Sequence, residues 1–467
     1  MSDELAFMPA TELVAKYKSK TLSPVEVVKA SVSRIESHGD KLNAFTIVDP
    51  DGAIAAAFES EQRWMHGEPK GLCDGVPTTI KDLVITKGWP TLRGSRSVDP
   101  NQAWEEDAPC VARLREHGAV LLGKTTTPEF GHKGVTDSLL TGITRNPWNL
   151  DKTPGGSSGG ASAAVAAGMG QLAIGTDAGG SIRIPACFAG IYGIKPTFGR
   201  VPMYPASPYG TLSHTGPMTR TVQDAALMLT VIAEPDARDW HGLPYNGVDY
   251  TRILEANVRG LKIGFSDTLG LDVKVDPEVA NAVSSAAEQF AELGAVTEAI
   301  NINWPASPRD IFLVHFAAGA ATLMSMLPNE QRDKIEPTLK AMATEGDKLD
   351  VLSVKKAELD RIANGVYMNQ LLTQYDLLLC PTLPLTAFDV GKPCPDEYRE
   401  DPYGWIPFTP PFNLTGQPAA SIPCGFSSAG LPIGLQIIGP TYGEEIVLKA
   451  SYAFECARPF ANEQPVL

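Results

Sequence analysis

A chain of 467 residues, 43% hydrophobic and 20% charged, has the composition of an ordinary globular protein with a large core. Its formal net charge of −15 argues against a nucleic-acid or anionic-membrane partner, since either needs basic patches. No apolar run approaches the roughly 18–20 residues of a membrane span, and the N-terminus lacks the apolar stretch of a signal peptide. The seven cysteines fall singly, with no CxxC pair to signal zinc or a disulfide framework, so a reducing cytoplasm is expected.

The pattern along the chain alternates between helix and strand. Residues 9–18 and 24–38 read as amphipathic helices. Ser23-Pro24-Val25-Glu26 supplies an N-cap, a proline at the first helical position and an acid at N3. A buried strand is expected within 75–85, a helix over 108–118 and strands over 119–125 and 171–177. The small-residue run at 161–170 reads as a closely packing helix, and 221–233 as another. A strand at 260–265, a helix at 276–293 and a short strand at 295–300 follow. Residues 303–370 are more polar and mostly helical in pattern, which fits either a cap over a site or a peripheral insertion. Strand-like pieces return over 376–426, and 430–440 reads as a final central strand. Such alternation predicts α/β layering around a largely buried sheet.

Two motif matches are discounted on context. GAVLLGKT (118–125) fits the phosphate-loop pattern, but its middle residues are themselves the predicted strand and cannot curl around a phosphate, so Lys124 is read as structural. GGSSG (155–159) fits the nucleophile elbow, yet loop-like sequence precedes it where the elbow needs a strand. His214, His241 and His315 are read as surface or hydrogen-bonded core histidines.

The informative region is GGSSGGASAAVAAGMGQLAIGTDAGGSIRIP (155–185), which holds serines at 157, 158 and 181 among glycines. Upstream, Lys81 ends an apolar stretch beside Asp82; on its own this is as consistent with a buried Lys–Asp pair as with a functional amine. GTDAGGSIRIP adds what acyl transfer requires. Gly179 and Gly180 leave access open, and N–H groups from Ala178 through Ser181 can converge on one oxygen, each essential donor being worth roughly 3–4 kcal/mol.

On these residues the chain resembles the amidase signature family of serine hydrolases. The matching stretches are GVPTTIKD (75–82), PGGSSGGASAAVAAG (154–168), GTDAGGSIRIPACFAGIYGIKPTFGR (175–200), NLTGQPAASIPCGF and GLPIGLQIIG. The resemblance implies one α/β/α sandwich around a large mixed, mostly parallel twisted sheet. It replaces the three domains that length alone suggests with a single domain over 1–467. The signature core lies at about 70–220, the helical region at 303–370 and a return to the core at 376–467. It further implies a Ser–cis-Ser–Lys triad: Ser181 as nucleophile, Ser157 as the bridging serine behind a cis peptide bond, and Lys81 as base. Gly155 and Gly156 leave room for that backbone. No metal or organic cofactor is implied, the partner is a small-molecule amide, and the family suggests a homodimer.

Lysine has an ordinary pKa of about 10.4, so Lys81 must be driven neutral, which the apolar Val76, Ile80 and Leu83 can do by desolvation. Asp177 and Arg183 are expected to brace the nucleophile loop, and Ser158 and Thr176 to hydrogen-bond Ser157 or Lys81. The chain resembles the A subunits of glutamyl-tRNA amidotransferases in TRNPWNL (144–150) and KPTFGRVP (195–202), then departs at MYPASPYGTLSHTGP (203–217). A Pro- and Tyr-rich loop there points to an apolar or aromatic pocket, with Tyr204, Tyr209, Trp304 and Phe316 as candidate walls. A stand-alone amidase for small acyl or aryl amides, similar to aryl acylamidases, is the expected function. A component of an amidotransferase complex is the first alternative; an α/β-hydrolase-type esterase and an inactive scaffold rank below it.

Overall fold

The computed structural model describes residues 2–467. Its strands are β1 (Phe45–Val48), β2 (Pro77–Lys81), β3 (Val120–Thr125), β4 (Asp137–Ser138), β5 (Gly142–Ile143), β6 (Leu172–Asp177) and β7 (Tyr192–Lys195). They continue with β8 (His214–Thr219), β9 (Lys262–Phe265), β10 (Val296–Ala299), β11 (Leu377–Pro381), β12 (Ala419–Phe426) and β13 (Pro432–Ile438). Eleven of them form one sheet in the order β1-β3-β2-β6-β8-β7-β12-β13-β11-β9-β10, and β4 pairs with β5 apart from it.

Helices cover both faces. Pro109–Glu116, Val222–Ile232, Pro277–Glu292 and Glu444–Ala457 share one apolar cluster against the sheet. Pro24–Leu42, Pro50–His66 and Gly159–Ala166 build another with β3. The layered α/β reading therefore holds, and β13 is an inner strand.

The sheet is mixed, but the expectation that it is mostly parallel is corrected. Only β2–β3, β2–β6, β9–β10 and β9–β11 are parallel. The middle of the sheet, from β6 through β8, β7, β12 and β13 to β11, is antiparallel throughout. Parallel pairing needs a long crossover, and helix–strand alternation supplies one only toward the two ends; β12 and β13 are joined by a short turn that permits only antiparallel pairing. Part of the middle also comes from 214–219, whose first four residues fall in the stretch 203–217 read from sequence as loop.

Local chemistry sets the helix ends. Ser23 and Glu26 form the capping box, and the helix it opens runs past residue 38 to Leu42, where Asn43 closes it at φ 49°. The small-residue helix stops at Ala166 because Gly168 turns left-handed at φ 70°. Among the described residues no helix is long and apolar enough to cross a membrane.

One buried acid reports on the packing of two helices. Glu455 accepts the Val222 N–H at 3.1 Å, and burial pushes its carboxyl up to about 8, aided by Asp224 and opposed by that N–H. Its folded pKa lies above the unfolded value of about 4.3. The folded state therefore holds the extra proton, and stability falls as pH rises through this window to about 8. Glu455→Gln is expected to match the wild-type Tm near pH 4, to exceed it already at pH 6 and to exceed it by several degrees more at pH 9; thermal melts across this range check this.

Candidate active site

Lys81 is the last residue of β2, flanked in the sheet by β3 and β6, and is fully buried. Its Nζ lies 2.8 Å from Ser157 Oγ, 2.8 Å from Ser158 Oγ and 2.9 Å from Thr176 Oγ1. Burial drives the amine well below its ordinary pKa, and attraction to Asp177 only partly offsets this. Two other buried lysines differ in their partners. Lys124 donates to Val84 C=O at 2.5 Å and Thr91 Oγ1 at 2.7 Å, which makes it a clamp on the 84–91 loop and no phosphate ligand. Lys195 donates to the carbonyls of Gln417 and Pro196. The carbonyls around Lys195 only accept, whereas the hydroxyls around Lys81 can also give a proton back.

The peptide bond between Gly156 and Ser157 is cis. A Cβ on Gly156 would lie 2.6 Å from the Val135 backbone, so no larger residue fits there. Ser158 ties this loop to the second serine: its N–H donates to Ser181 C=O at 3.2 Å, and its Oγ donates to Thr176 C=O at 3.2 Å. Ser157 and Ser181 line one cavity, although no hydrogen bond joins their hydroxyls.

The loop carrying Ser181 is wound around one carboxylate. Asp177 accepts N–H groups from Gly180 at 2.6 Å and Ile182 at 3.2 Å, and pairs with Arg183 through Nε and Nη2, both at 3.0 Å. Asn413 Nδ2 adds a bond at 2.8 Å. The remaining Arg183 donors go to Thr409 C=O, Gln436 Oε1 and Asn413 Oδ1. Arg183, followed by Lys195 and Asn413, holds the Asp177 carboxyl far below the usual carboxylate range despite complete burial.

This geometry narrows the expected set of oxyanion donors. The Gly180 N–H is committed to Asp177 and is not available. Those of Ala178, Gly179 and Ser181 have no acceptor among the described residues. A Cβ on Gly180 would strike Thr409 Oγ1 at 2.2 Å and one on Gly179 the Phe312 ring at 2.7 Å, so both glycines are dictated by close approach.

Of the aromatic candidates, Tyr204 and Tyr209 line the cavity. Phe316 stands behind Tyr209, stacked on it at 4.4 Å between ring centroids. Trp304 is elsewhere, packed in another cluster and donating to Leu269 C=O, because its helical neighbourhood serves the β11 side of the fold. Sequence reading missed Arg93, Phe130 and Leu323, which also line the cavity and sit in segments without any motif; Leu83, expected only to desolvate Lys81, lines it too. His214 is buried, bonds Leu212 C=O through Nδ1 at 2.8 Å and is held neutral by burial. His241 is exposed and His315 is on a helix outside the cavity lining.

A cluster of an amine, three hydroxyls and unpaired amides is that of an acyl-transfer hydrolase. Residues 26–448 match the Amidase family. The chain is 36% identical to an acylamidase of Rhodococcus erythropolis, covering 99% of this chain and 98% of that one. It is also 36% identical to the A subunit of the glutamyl-tRNA(Gln) amidotransferase of Geobacter metallireducens, with 99% of both covered. Among solved structures, a bacterial aryl acylamidase of the amidase signature family superposes at a TM-score of 0.90 with 36% identity, covering 97% of each chain. 6-Aminohexanoate cyclic dimer hydrolase follows at 0.88 and 29%, covering 98% of this chain and 99% of that one. This chain belongs to the amidase signature family. It is an amide-hydrolysing enzyme.

Asp177→Asn leaves Arg183 charged and buried without its counter-ion, a change that costs about 3–5 kcal/mol. The variant is expected to lose that much in denaturant unfolding and to lose activity with it.

Proposed function

We propose that amide hydrolysis here runs through an acyl-enzyme on Ser181, with Ser157 as relay and Lys81 as base. The observation that carries this is a buried amine ringed by hydroxyls with no carboxylate in hydrogen-bond reach. A neutral amine has two N–H donors and one lone pair. Ser158 already donates to Thr176 C=O, so it accepts from Lys81, and Thr176 takes the second N–H. The lone pair is left for the Ser157 hydroxyl. Ser157 in turn draws the Ser181 proton once substrate brings the two hydroxyls together, since such bonds commonly tighten only in the complex. Ser181 attacks the carbonyl carbon, and the Ala178, Gly179 and Ser181 N–H groups receive the oxyanion. The proton returns through Ser157 to the leaving amine, and water releases the acid.

Leu83, Phe130, Tyr204, Tyr209 and Leu323 favour a small acyl or aryl amide as substrate. The helix Pro308–Met326, whose Phe312 abuts Gly179 and whose Leu323 reaches the cavity, acts as the cap. The similarity to an amidotransferase component supports a second reading as a partner-dependent glutaminase. A cytoplasmic homodimer completes the proposal, supported by seven unpaired cysteines and the family resemblance.

Lys81→Ala, Ser157→Ala and Ser181→Ala are each expected to lower kcat/KM by at least about a thousandfold with the melting curve kept. Substantial activity in Ser181→Ala overturns the mechanism. Because the amine must be neutral to act, kcat/KM should fall on the acid side only, with a midpoint well below 10.4. Lys81→Arg, which cannot lose its proton, should be inactive at every pH. A panel of anilides, aliphatic amides, glutamine and esters, run beside size-exclusion chromatography with light scattering, separates the stand-alone amidase from the partner-dependent glutaminase.

A further inference from the structure

Arg93 lines the cavity that holds Ser157 and Ser181, and of the residues lining that cavity it is the only basic one. Its guanidinium has no hydrogen bond and no ion pair among the described residues. By contrast, Arg183 makes five side-chain bonds, and Arg361 is held by Leu414 C=O and Thr211. Asp82 attracts Arg93 without bonding it and is occupied by the N–H groups of Leu92 at 3.1 Å and Gly94 at 3.3 Å. Nor is any Arg93 nitrogen sealed off without a partner, so the guanidinium is open to the space the residue lines.

The backbone holds this side chain there against its own preference. Arg93 sits at φ 57°, a left-handed conformation unusual for a residue with a Cβ. It is fixed on both sides: its C=O accepts the Phe130 N–H at 2.8 Å, while Asp82 anchors residues 92 and 94 and Lys124 anchors Thr91. An arginine with five free donors, held strained in an apolar-walled cavity of an acidic protein, is arranged to receive an anion.

We propose that the substrate is an amide carrying a carboxylate away from the scissile bond, and that Arg93 binds that carboxylate. This deepens the amide-hydrolase reading and rests on it. The carboxylate can belong to the acyl part or to the amine part, and two matched pairs tell these apart. Succinanilate against butyranilide places the charge on the acyl side; 4-acetamidobenzoate against acetanilide places it on the amine side.

Steady-state kinetics on the intact enzyme should favour the acid of one pair over its neutral partner. Arg93→Gln should raise KM for that acid roughly 10- to 100-fold, the worth of a charge-assisted pair, and change the neutral amide less than about threefold. Arg93→Lys should recover part of the preference, since it keeps a charge without the planar fork. Equal hydrolysis of acid and neutral amides by the wild type, or an equal loss on both in Arg93→Gln with no recovery in Arg93→Lys, overturns the proposal. Failure to hydrolyse any of the four amides counts instead against the amide-hydrolase reading beneath it.

Discussion

The pairing of Asp177 with Arg183 is what the site is built on. A carboxylate taken out of water needs every lone pair satisfied, and Asp177 meets that need with a bidentate guanidinium, two backbone amides and Asn413. Satisfying it forces residues 177–183 into a tight coil. That coil also turns the remaining amides outward, without acceptors. The Asp177 charge still pulls the Lys81 pKa upward, and burial of the amine outweighs it. The ion pair thus shapes the loop, while desolvation keeps the amine neutral.

The same pair explains why distant segments belong to one site. Arg183 reaches Thr409, Asn413 and Gln436 across 226 to 253 residues of sequence. Asn413 stands in NLTGQP and Gln436 in GLQIIG, two stretches that carry the family resemblance without any chemistry visible in their letters. Their side chains serve the nucleophile loop from behind.

Much of this is legible in the sequence. Helix starts are clear where caps are chemical, as at Ser23, and the strands at 119–125 and 171–177 are clear because each carries a short apolar run, Ala119–Leu122 and Leu172–Ile174. Lys81, Ser157 and Ser181 stand out as reactive residue types among glycines. The direction of strands is not legible: apolar runs look alike in parallel and antiparallel ladders, and His214–Thr219 is hidden by the prolines and glycine around it. Gly180 cannot be set apart from its neighbours either, because which amide faces a carboxylate depends on loop dihedrals and not on residue type. Pocket walls are the least readable. Phe130, Leu323 and Arg93 converge from three unrelated segments, and only the folded chain brings them together.

The stacked rings of Tyr209 and Phe316 have a mechanical meaning. Gly319, one turn further along the same helix, approaches Tyr209 so closely that a Cβ would lie 2.6 Å from the ring. The wall facing the substrate and the helix behind it are therefore bolted into a single slab. Phe312 presses the other end of that slab onto Gly179. Any tilt of the slab that widened the entrance would also shift the amides beside the nucleophile, so access and reactivity in this enzyme are set by the same rigid piece.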